Sequence, residues 1–297
     1  MVSNRRNLDY GLTKHYFQKR HTQLPLLTDV LAVSVPLIEA SKLTKQFGSV
    51  NALTGLNFKV EPGEIYGLLG PNGAGKTTTI KAIMGLVDPT SGWVRVEGYN
   101  PATNSIEVKS RIGYVAEKPI LYESLSARDF FEFIASIRKI DQASVNRILS
   151  QLGDAFDISN YFDAPIATLS TGMKQKVALI AAFIHQPPVL LLDEPLSGLD
   201  AKTSRLVKDL LLLHAKKGGA VLFSTHIMEV AENICTRIGI IYQGKIVAEG
   251  TLDQLKTQTG NQSKTLEEVF LKLTNEEDDI ANKTRLLGEA FFSNETA

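Results

Sequence analysis

Short runs of apolar residues alternate with helical patterns through most of this chain. Four of the runs, at residues 65–69, 189–192, 220–223 and 238–242, contain almost no polar side chain. A continuous apolar run is typical of a strand that is buried on both faces of a parallel sheet. Because the later runs alternate with helical segments, the pattern predicts an α/β fold with a mostly parallel sheet.

Two regions differ from that pattern. Residues 37–96 are predicted to form mostly strands, interrupted by a helix after Lys76, and residues 120–175 are predicted to be helical. In the second region, Ser126 and Asp129 have the spacing of a capping box at the start of a helix. The large apolar residues that follow recur at helical spacing and are predicted to be core, although some of them would alternatively line a groove for a partner helix. They are Phe130, Phe131, Phe133 and Ile134.

A glycine-rich loop stands between the first apolar run and a predicted helix. Residues 70–77 read GPNGAGKT, which fits the phosphate-binding pattern G-x-x-x-x-G-K-[ST]. Glycines let the backbone approach phosphates closely, and amides at a helix N-terminus favour anions. Lys76 is predicted to reach the β- and γ-phosphates, and the Thr77 hydroxyl to bind Mg²⁺. The alternative is a glycine-rich turn without a ligand. The predicted nucleotide-binding residues are Gly70, Pro71, Asn72, Gly73, Ala74, Gly75, Lys76, Thr77 and Thr78.

Two acidic residues end the apolar run at residues 189–192. Asp193 is predicted to hold Mg²⁺ through water, and Glu194 to polarise the attacking water. Alone, this pattern also fits a buried strand that meets a helix cap. Beside the glycine-rich loop, it predicts a site that hydrolyses ATP.

Five motifs, in this order, resemble the ATP-binding-cassette (ABC) family over residues 37–250. After the glycine-rich loop, LSTGM at residues 169–173 resembles the family signature, and LLLDEP follows at residues 190–195. SGLD at residues 197–200 resembles the D-loop, and STH at residues 224–226 resembles the segment with the switch histidine. The resemblance implies a P-loop NTPase core with a mostly parallel sheet, an antiparallel β subdomain and a helical subdomain.

The same resemblance implies roles for further residues. Phe47 would stack on adenine, and His226 would sense the γ-phosphate and join Lys76 and Glu194 as a catalytic residue. In the signature, three residues would bind ATP that is held by another subunit. They are Ser170, Thr171 and Gly172.

Two positions depart from the common family pattern. Glu117 stands where most members have glutamine, and Met173 ends the signature. We expect Glu117 to replace that glutamine in the magnesium site, together with Thr77 and Asp193. The string TGMKQ and the sequence LEEVF at residues 266–270 resemble the exporter branch whose ATPase is a separate chain.

Composition limits the classes of partner. The net charge is zero, which indicates no basic surface for nucleic acid, so no nucleic acid is expected. A single cysteine, Cys235, excludes a disulfide framework and fits a reducing compartment. No apolar run approaches the roughly 18 residues of a membrane span. A transporter would therefore need a separate polytopic membrane permease, with this chain peripheral to it on the cytoplasmic side of the membrane.

The resemblance divides the chain into three parts. Residues 1–35 lie outside it and are predicted to be an extension, basic at first and then more apolar. A flexible or loosely docked segment, a contact with an anionic membrane or a partner, and a targeting peptide all stay open for it. Residues 36–273 are predicted to form the ABC ATPase domain, with its helical subdomain at about 120–175. Residues 274–297 are predicted to be an acidic tail, because residues 276–279 are all acidic.

Two classes of function fit these observations. The first is the ATP-binding and ATP-hydrolysing subunit of an ABC exporter, acting as a homodimer or as a heterodimer with another ABC ATPase. Closure of that dimer on ATP would move the permease, since a ligand shifts an equilibrium by its differential affinity for the two states. The second is a non-transport ABC ATPase that acts on a soluble macromolecular partner. One cassette, one cysteine and no long heptad insertion favour the first class.

Overall fold

Nine strands form two sheets in the computed structural model, which describes residues 35–260, 265–274 and 276–292. The strands are β1 (Ile38–Phe47), β2 (Val50–Val60), β3 (Ile65–Leu69), β4 (Ser91–Val96), β5 (Ile112–Val115), β6 (Val189–Asp193), β7 (Ala220–Thr225), β8 (Arg237–Tyr242) and β9 (Lys245–Gly250). The extension predicted at residues 1–35 lies outside the described residues, except for Val35.

The helices connect the strands and cover the larger sheet. They are α1 (Lys76–Ile83), α2 (Ser105–Ser110), α3 (Ala127–Arg138), α4 (Gln142–Ala155), α5 (Thr171–Phe183), α6 (Ala201–Lys216), α7 (Met228–Ile234), α8 (Leu252–Gln258), α9 (Leu266–Thr274) and α10 (Glu277–Phe292). Two short 3-10 helices, Ser159–Tyr161 and Ile166–Thr168, stand between α4 and α5.

The larger sheet has six strands in the order β5-β6-β7-β3-β8-β9. Its pairs are parallel except for β8 with β9, which form an antiparallel hairpin. Every residue of β3, β6 and β7 is buried, as expected for strands that are covered on both faces. The smaller sheet, β2-β1-β4, is antiparallel. The predicted α/β fold, with a mostly parallel sheet and an antiparallel β subdomain, is confirmed.

Strand order determines where the site lies. β6, β7 and β3 are neighbours and run parallel, so their carboxyl ends meet at one edge of the sheet. Ligands of open α/β sheets bind in the crevice outside those ends. The glycine-rich loop follows β3, Asp193 ends β6, and Thr225 ends β7.

The helical region begins as the capping pattern predicts. Ser126 caps α3 by accepting from the Asp129 amide, and the Asp129 carboxylate accepts from the Ser126 amide. Phe130 and Phe131 are buried, as predicted. The core prediction was wrong for Phe133, whose residue surface is 43% exposed. Phe133 lies on the side of α3 that faces away from the core in which Phe130 and Phe131 are buried.

The C-terminal region contains a helix that the sequence analysis did not assign. α10 occupies most of residues 274–297, which were predicted to be an acidic tail. Several of its large apolar side chains are exposed, including Leu286, Leu287 and Phe291. The acidic run at residues 276–279 led to the prediction of a tail, although the apolar residues after it recur at helical spacing.

His185, just after α5, gives the fold a dependence on pH. Its Nε2 lies 3.0 Å from the Ile112 carbonyl oxygen, and burial, aided by the charge of Arg138, lowers the pKa of His185 to about 4. The unfolded chain therefore binds more protons between about pH 6.5 and 4, so this contribution is full above pH 6.5 and is lost as pH falls. Because His185 is only partly buried, solvent screening limits the loss of unfolding free energy at pH 5 to about 1 kcal/mol.

We expect His185→Gln to reduce the loss of stability between pH 7.5 and pH 5. The measurement is urea unfolding of both proteins at the two pH values. His214, whose pKa burial also lowers, contributes equally to both proteins and cancels in the comparison. An identical loss in wild type and variant would show that His185 titrates normally.

Candidate functional site

The glycine-rich loop has a backbone that requires its glycines. Gly73 and Gly75 have φ angles of 83° and 113°, in the left-handed region that favours glycine. A Cβ on Gly70 would lie 2.1 Å from the Ile241 carbonyl oxygen. The loop therefore presses against β8 and turns sharply into α1, which leaves its amides at the start of that helix.

Lys76 lies within this loop rather than above it. Its Nζ donates to the Gly70 carbonyl oxygen at 2.7 Å and lies 3.9 Å from Glu194 Oε1. Only 6% of its surface is exposed, and burial lowers the pKa of Lys76 while the charges of Glu194, Asp193 and Glu117 oppose that shift. A buried ammonium beside amides is a site that favours an anion.

Asp193 accepts hydrogen bonds from two hydroxyl groups, one on α1 and one on β7. Thr77 Oγ1, at the start of α1, donates to Asp193 Oδ2 at 2.6 Å, and Ser224 Oγ, on β7, donates to Oδ1. Asp193 is 2% exposed. A hydroxyl and a carboxylate this close supply the oxygen ligands that Mg²⁺ prefers, so the pair fits that ion.

Glu194 follows with its carboxylate fixed by three hydrogen bonds. Thr225 Oγ1 donates to Oε2 at 2.8 Å, and the His226 amide and Nδ1 donate to Oε1 at 2.8 and 2.7 Å. Its backbone is in the left-handed region, with φ 47°, which is uncommon for a residue with a side chain. Strained backbone concentrates at functional sites when the surroundings hold it. Here that conformation and the three donors aim a buried carboxylate at the loop.

These groups surround one pocket of about 250 Å³. It brings together most of the predicted loop residues with Glu117, Asp193 and Glu194. Its lining residues are Ala52, Pro71, Asn72, Gly73, Gly75, Lys76, Thr77, Thr78, Glu117, Asp193 and Glu194. Gly70 and Ala74 belong to the loop but do not line the pocket. His226 is linked to the pocket by its hydrogen bond to Glu194. Backbone amides, a lysine, and the hydroxyl and carboxylate of Thr77 and Asp193 surround this pocket beside the glycine-rich loop. These groups fit a triphosphate with Mg²⁺.

Phe47 does not line this pocket. It ends β1 opposite Val50, at the tip of the β1–β2 hairpin, and is 49% exposed. Lys45 places its ammonium 4.9 Å from the centre of the ring. Ala52, two residues beyond Val50, does line the pocket, so the exposed ring of Phe47 lies five positions before a pocket residue.

The signature residues lie outside the pocket altogether. Ser170 caps α5 by accepting from the Met173 amide at 3.3 Å, and Thr171 is exposed. A Cβ on Gly172 would lie 2.9 Å from the Gly198 carbonyl oxygen, so this helix start packs on the D-loop. Within one chain, the glycine-rich loop and the signature do not share a pocket.

Three polar residues support the site although the sequence analysis gave them no role. Ser224 and Thr225 hold the two acids, as described above. Gln175, 2% exposed on α5, donates from Nε2 to the Pro195 carbonyl oxygen at 3.0 Å and so ties the signature helix to the segment after Glu194. The signal for Ser224 and Thr225 is a polar pair at the end of an otherwise apolar strand. Gln175 stands between Lys174 and Lys176, so the sequence carries no such signal for it.

Glu117 follows β5 and lines the same pocket as Asp193 and Glu194. Since a carboxylate and an amide oxygen both accept from water and approach Mg²⁺, we expect Glu117→Gln to keep ATPase activity within about threefold of wild type. Steady-state phosphate release measures this, with the exposed Glu132→Gln as the matched control. A loss of most activity in Glu117→Gln alone would show that the charge itself is needed.

Comparisons with known proteins agree with this geometry. The sequence profile of the family described as "ABC transporter" matches residues 53–197. The chain is 39% identical over 245 residues to the probable multidrug ABC transporter ATP-binding protein YbhF of Escherichia coli (strain K12), a match that covers 82% of this chain and 42% of that protein. It is 36% identical to the ABC-type transporter ATP-binding protein EcsA of Bacillus subtilis (strain 168), with coverage of 81% and 98%.

A solved structure of an ATP binding subunit of an ABC transporter is 34% identical, with a TM-score of 0.78, and covers 80% of this chain and 99% of that one. The chain spans less than half of YbhF but nearly all of EcsA. The glycine-rich loop, the acidic pair and these similarities agree on a nucleotide-binding ATPase. The chain therefore belongs to the ABC transporter family, as one of its ATP-binding proteins.

Proposed function

We propose that this chain is the ATPase subunit of an ABC exporter, which closes as a dimer on ATP and Mg²⁺ and drives a separate polytopic permease. The observation that carries the proposal is the buried Glu194 carboxylate, fixed by Thr225 and His226 and 3.9 Å from Lys76. A general base must be aimed and held before the reaction, and this carboxylate is both.

The main residues in and around the pocket have defined tasks in this proposal. The loop amides and Lys76 bind the phosphates of ATP, and Thr77, Asp193 and Glu117 hold Mg²⁺. Mg²⁺ held by these residues would neutralise charge that develops on the phosphates. Glu194 accepts a proton from the attacking water, while His226 orients Glu194 and faces the γ-phosphate. Phe47 stacks on adenine.

A second subunit completes the site. The signature residues Ser170, Thr171 and Gly172 lie at the start of α5, where a hydroxyl and free amides favour an anion, yet none of them lines the pocket of its own chain. A second ABC ATPase, identical or related, would bring its signature to the γ-phosphate. ATP then binds the closed dimer better than the open one, which supplies the driving force for closure.

The permease would dock in a groove beside the helical region. This groove, which we call the α1–α3 groove, has an apolar floor and lies apart from the nucleotide pocket. Six of its apolar lining residues are Met84, Tyr114, Ile120, Leu121, Phe130 and Ile134. In the part of the chain that the structure describes, no helix is long and apolar enough to cross a membrane. Docking to the permease would place the chain at the cytoplasmic face of the membrane.

Export, rather than another use of ATP, is supported by the string TGMKQ and by the word "multidrug" in the name of YbhF. We propose residues 36–273 as the ATPase domain, with a helical subdomain at about 120–175, residues 1–35 as an extension, and residues 274–297 as a mostly helical C-terminal segment. A soluble macromolecular partner remains the alternative to a permease.

Affinity purification of the full-length chain from detergent-solubilised membranes tests the proposal. We expect a polytopic membrane protein to co-purify and to raise the ATPase rate. Ile120→Arg, at a position that is 97% exposed, is expected to abolish co-purification and leave ATP binding unchanged. Leu212→Arg, on another exposed apolar position, is the matched control. Co-purification of soluble proteins only, from wild type, would refute the transporter assignment in favour of the alternative.

A further inference from the structure

Lys45, near the end of β1, is a half-buried cation beside an aromatic ring. Its Nζ donates to the Asp88 carbonyl oxygen at 2.8 Å and lies 4.9 Å from the centre of the Phe47 ring. Among the ion pairs between the described residues, none involves Lys45. The ammonium is therefore held by a backbone carbonyl, and its charge acts on the face of the ring.

The strand end that carries Lys45 is fixed to the segment that follows α1. The Gln46 amide donates to Thr90 Oγ1 at 3.0 Å, and the Thr90 amide donates to the Thr44 carbonyl oxygen at 2.8 Å. With the bond from Lys45 to Asp88, three hydrogen bonds join these two segments. They give the Lys45 ammonium a fixed place near the tip of the β1–β2 hairpin.

The other strand of this hairpin packs on the glycine-rich loop. Lys45 is paired with Leu53 in the register of β1 with β2. A Cβ on Gly75 would lie 2.8 Å from both Leu53 Cδ2 and the Ala52 carbonyl oxygen, so β2 closely contacts the loop there. Lys45 is thus one strand away from the loop that binds the phosphates in the proposed function.

The Phe47 ring has one face that Lys45 occupies and an opposite face that it leaves free. An aromatic ring attracts a cation through the negative charge of its face. A cation on one face draws electron density toward itself and makes the opposite face a better surface for an electron-rich base. It also restricts the ring, which is 49% exposed, so that less rotational freedom is lost when a base stacks on it.

We propose that Lys45 is a positioning residue for the nucleobase, whose ammonium holds the Phe47 ring in the orientation that stacks on adenine, with adenine on the opposite face. This inference rests on the proposed function, because it takes Phe47 as the residue that stacks on adenine. It adds a residue that acts through the ring rather than by contact with the nucleotide. Lys45 then contributes to binding only when the ligand carries a base.

Isothermal titration of the full-length chain with two ligands separates the base from the phosphates. The ligands are a non-hydrolysable ATP analogue and inorganic tripolyphosphate, each with Mg²⁺. We expect Lys45→Gln to bind the analogue about two- to fivefold more weakly, the range of a cation–π interaction at an exposed site, and to bind tripolyphosphate as wild type does. Lys45→Arg keeps a cation over the ring and should retain wild-type affinity. Lys42→Gln, at an exposed lysine of the same strand, is the matched control.

A double-mutant cycle with Phe47→Leu tests whether Lys45 acts through the ring. Phe47→Leu should weaken binding of the analogue by at least about fivefold, as expected for the loss of a stacked base, and leave tripolyphosphate binding unchanged. Adding Lys45→Gln to Phe47→Leu should cause no further loss. A further loss in the double variant, or an equal loss for both ligands in Lys45→Gln, would show that Lys45 acts on the nucleotide directly and would overturn the inference.

The remaining outcomes distinguish this inference from the proposed function. If Phe47→Leu weakens binding of the analogue while Lys45→Gln binds it as wild type does, the inference fails and the stacking stands. Tighter binding by Lys45→Gln would also overturn the inference, because the ammonium would then occupy the face that the base needs. Unchanged binding of the analogue by Phe47→Leu would instead refute the stacking in the proposed function, and this inference with it. Wild-type affinity for tripolyphosphate shows that each variant keeps a folded phosphate site.

Discussion

Glu194→Gln is expected to lower the rate of ATP hydrolysis by about 10²- to 10⁴-fold, the range typical of a general base. The carboxamide keeps the shape of the side chain. Its oxygen can still accept from the His226 amide and Nδ1, and its NH₂ group can donate to Thr225 Oγ1, which accepts instead of donating. The network therefore survives while the base is lost.

The same substitution should leave ATP affinity within about threefold of wild type, since an interaction made only in the transition state changes turnover rather than binding. Less negative charge at the interface should also favour an ATP-bound dimer. Phosphate release, a fluorescent-nucleotide titration and size-exclusion chromatography with ATP and Mg²⁺ measure the three effects. Glu229→Gln, at an exposed position in the next helix, is the matched control. A near-normal hydrolysis rate in Glu194→Gln would show that another group is the base.

Lys76→Ala is expected to have the largest effect on binding. A hydrogen bond to a charged group contributes about 1.5–3 kcal/mol, so its loss should weaken ATP binding by about 10- to 100-fold. Among the residues that the structure describes, no other lysine or arginine lines the nucleotide pocket, so none of them replaces Lys76 there. The variant also leaves the buried Asp193 and Glu194 without the ammonium that neutralises them.

Lys81→Ala lies on the same helix and is exposed, so it controls for the loss of a lysine from α1. Isothermal titration with a non-hydrolysable ATP analogue and Mg²⁺ gives the two affinities. Equal affinities for Lys76→Ala and Lys81→Ala would mean that the Lys76 ammonium does not contact the phosphates. Thermal unfolding without nucleotide shows how much of the change comes from the protein itself.

The parts of this fold that could be predicted are those with a local cause. Fully apolar runs such as residues 189–192 are expected to be buried on both faces, and glycines at positions 73 and 75 are needed for a left-handed backbone. The capping box at Ser126 was also predictable, since its two partners are three residues apart. Interactions between residues close in sequence therefore account for these elements, including the glycine-rich loop and the acidic pair.

The rest depends on contacts between residues that are far apart in sequence. Thr77 and Asp193 are 116 positions apart, and the hydroxyl groups of Ser224 and Thr225 reach the acids only because β7 lies beside β6. Nothing in the motif pattern determines that strand order. Phe133 shows the reverse case, because helical spacing predicts an apolar side but not which part of that side is covered.

The proposed function depends on the closure of two chains around ATP. One chain with Asn72→Cys and one with Thr171→Cys, both in a Glu194→Gln background, place single exposed thiols on the glycine-rich loop and on the signature. The native Cys235 does not interfere, because burial raises the pKa of its thiol to about 12. The two proteins are mixed and treated with a short bismaleimide.

We expect a cross-linked dimer of the two different chains when ATP and Mg²⁺ are present, and little without them. Each protein alone should give almost no dimer under the same conditions, since neither carries both thiols. A cross-link that forms equally without ATP, or none in the mixture with ATP, would contradict the claim that the signature of one chain completes the nucleotide site of the other.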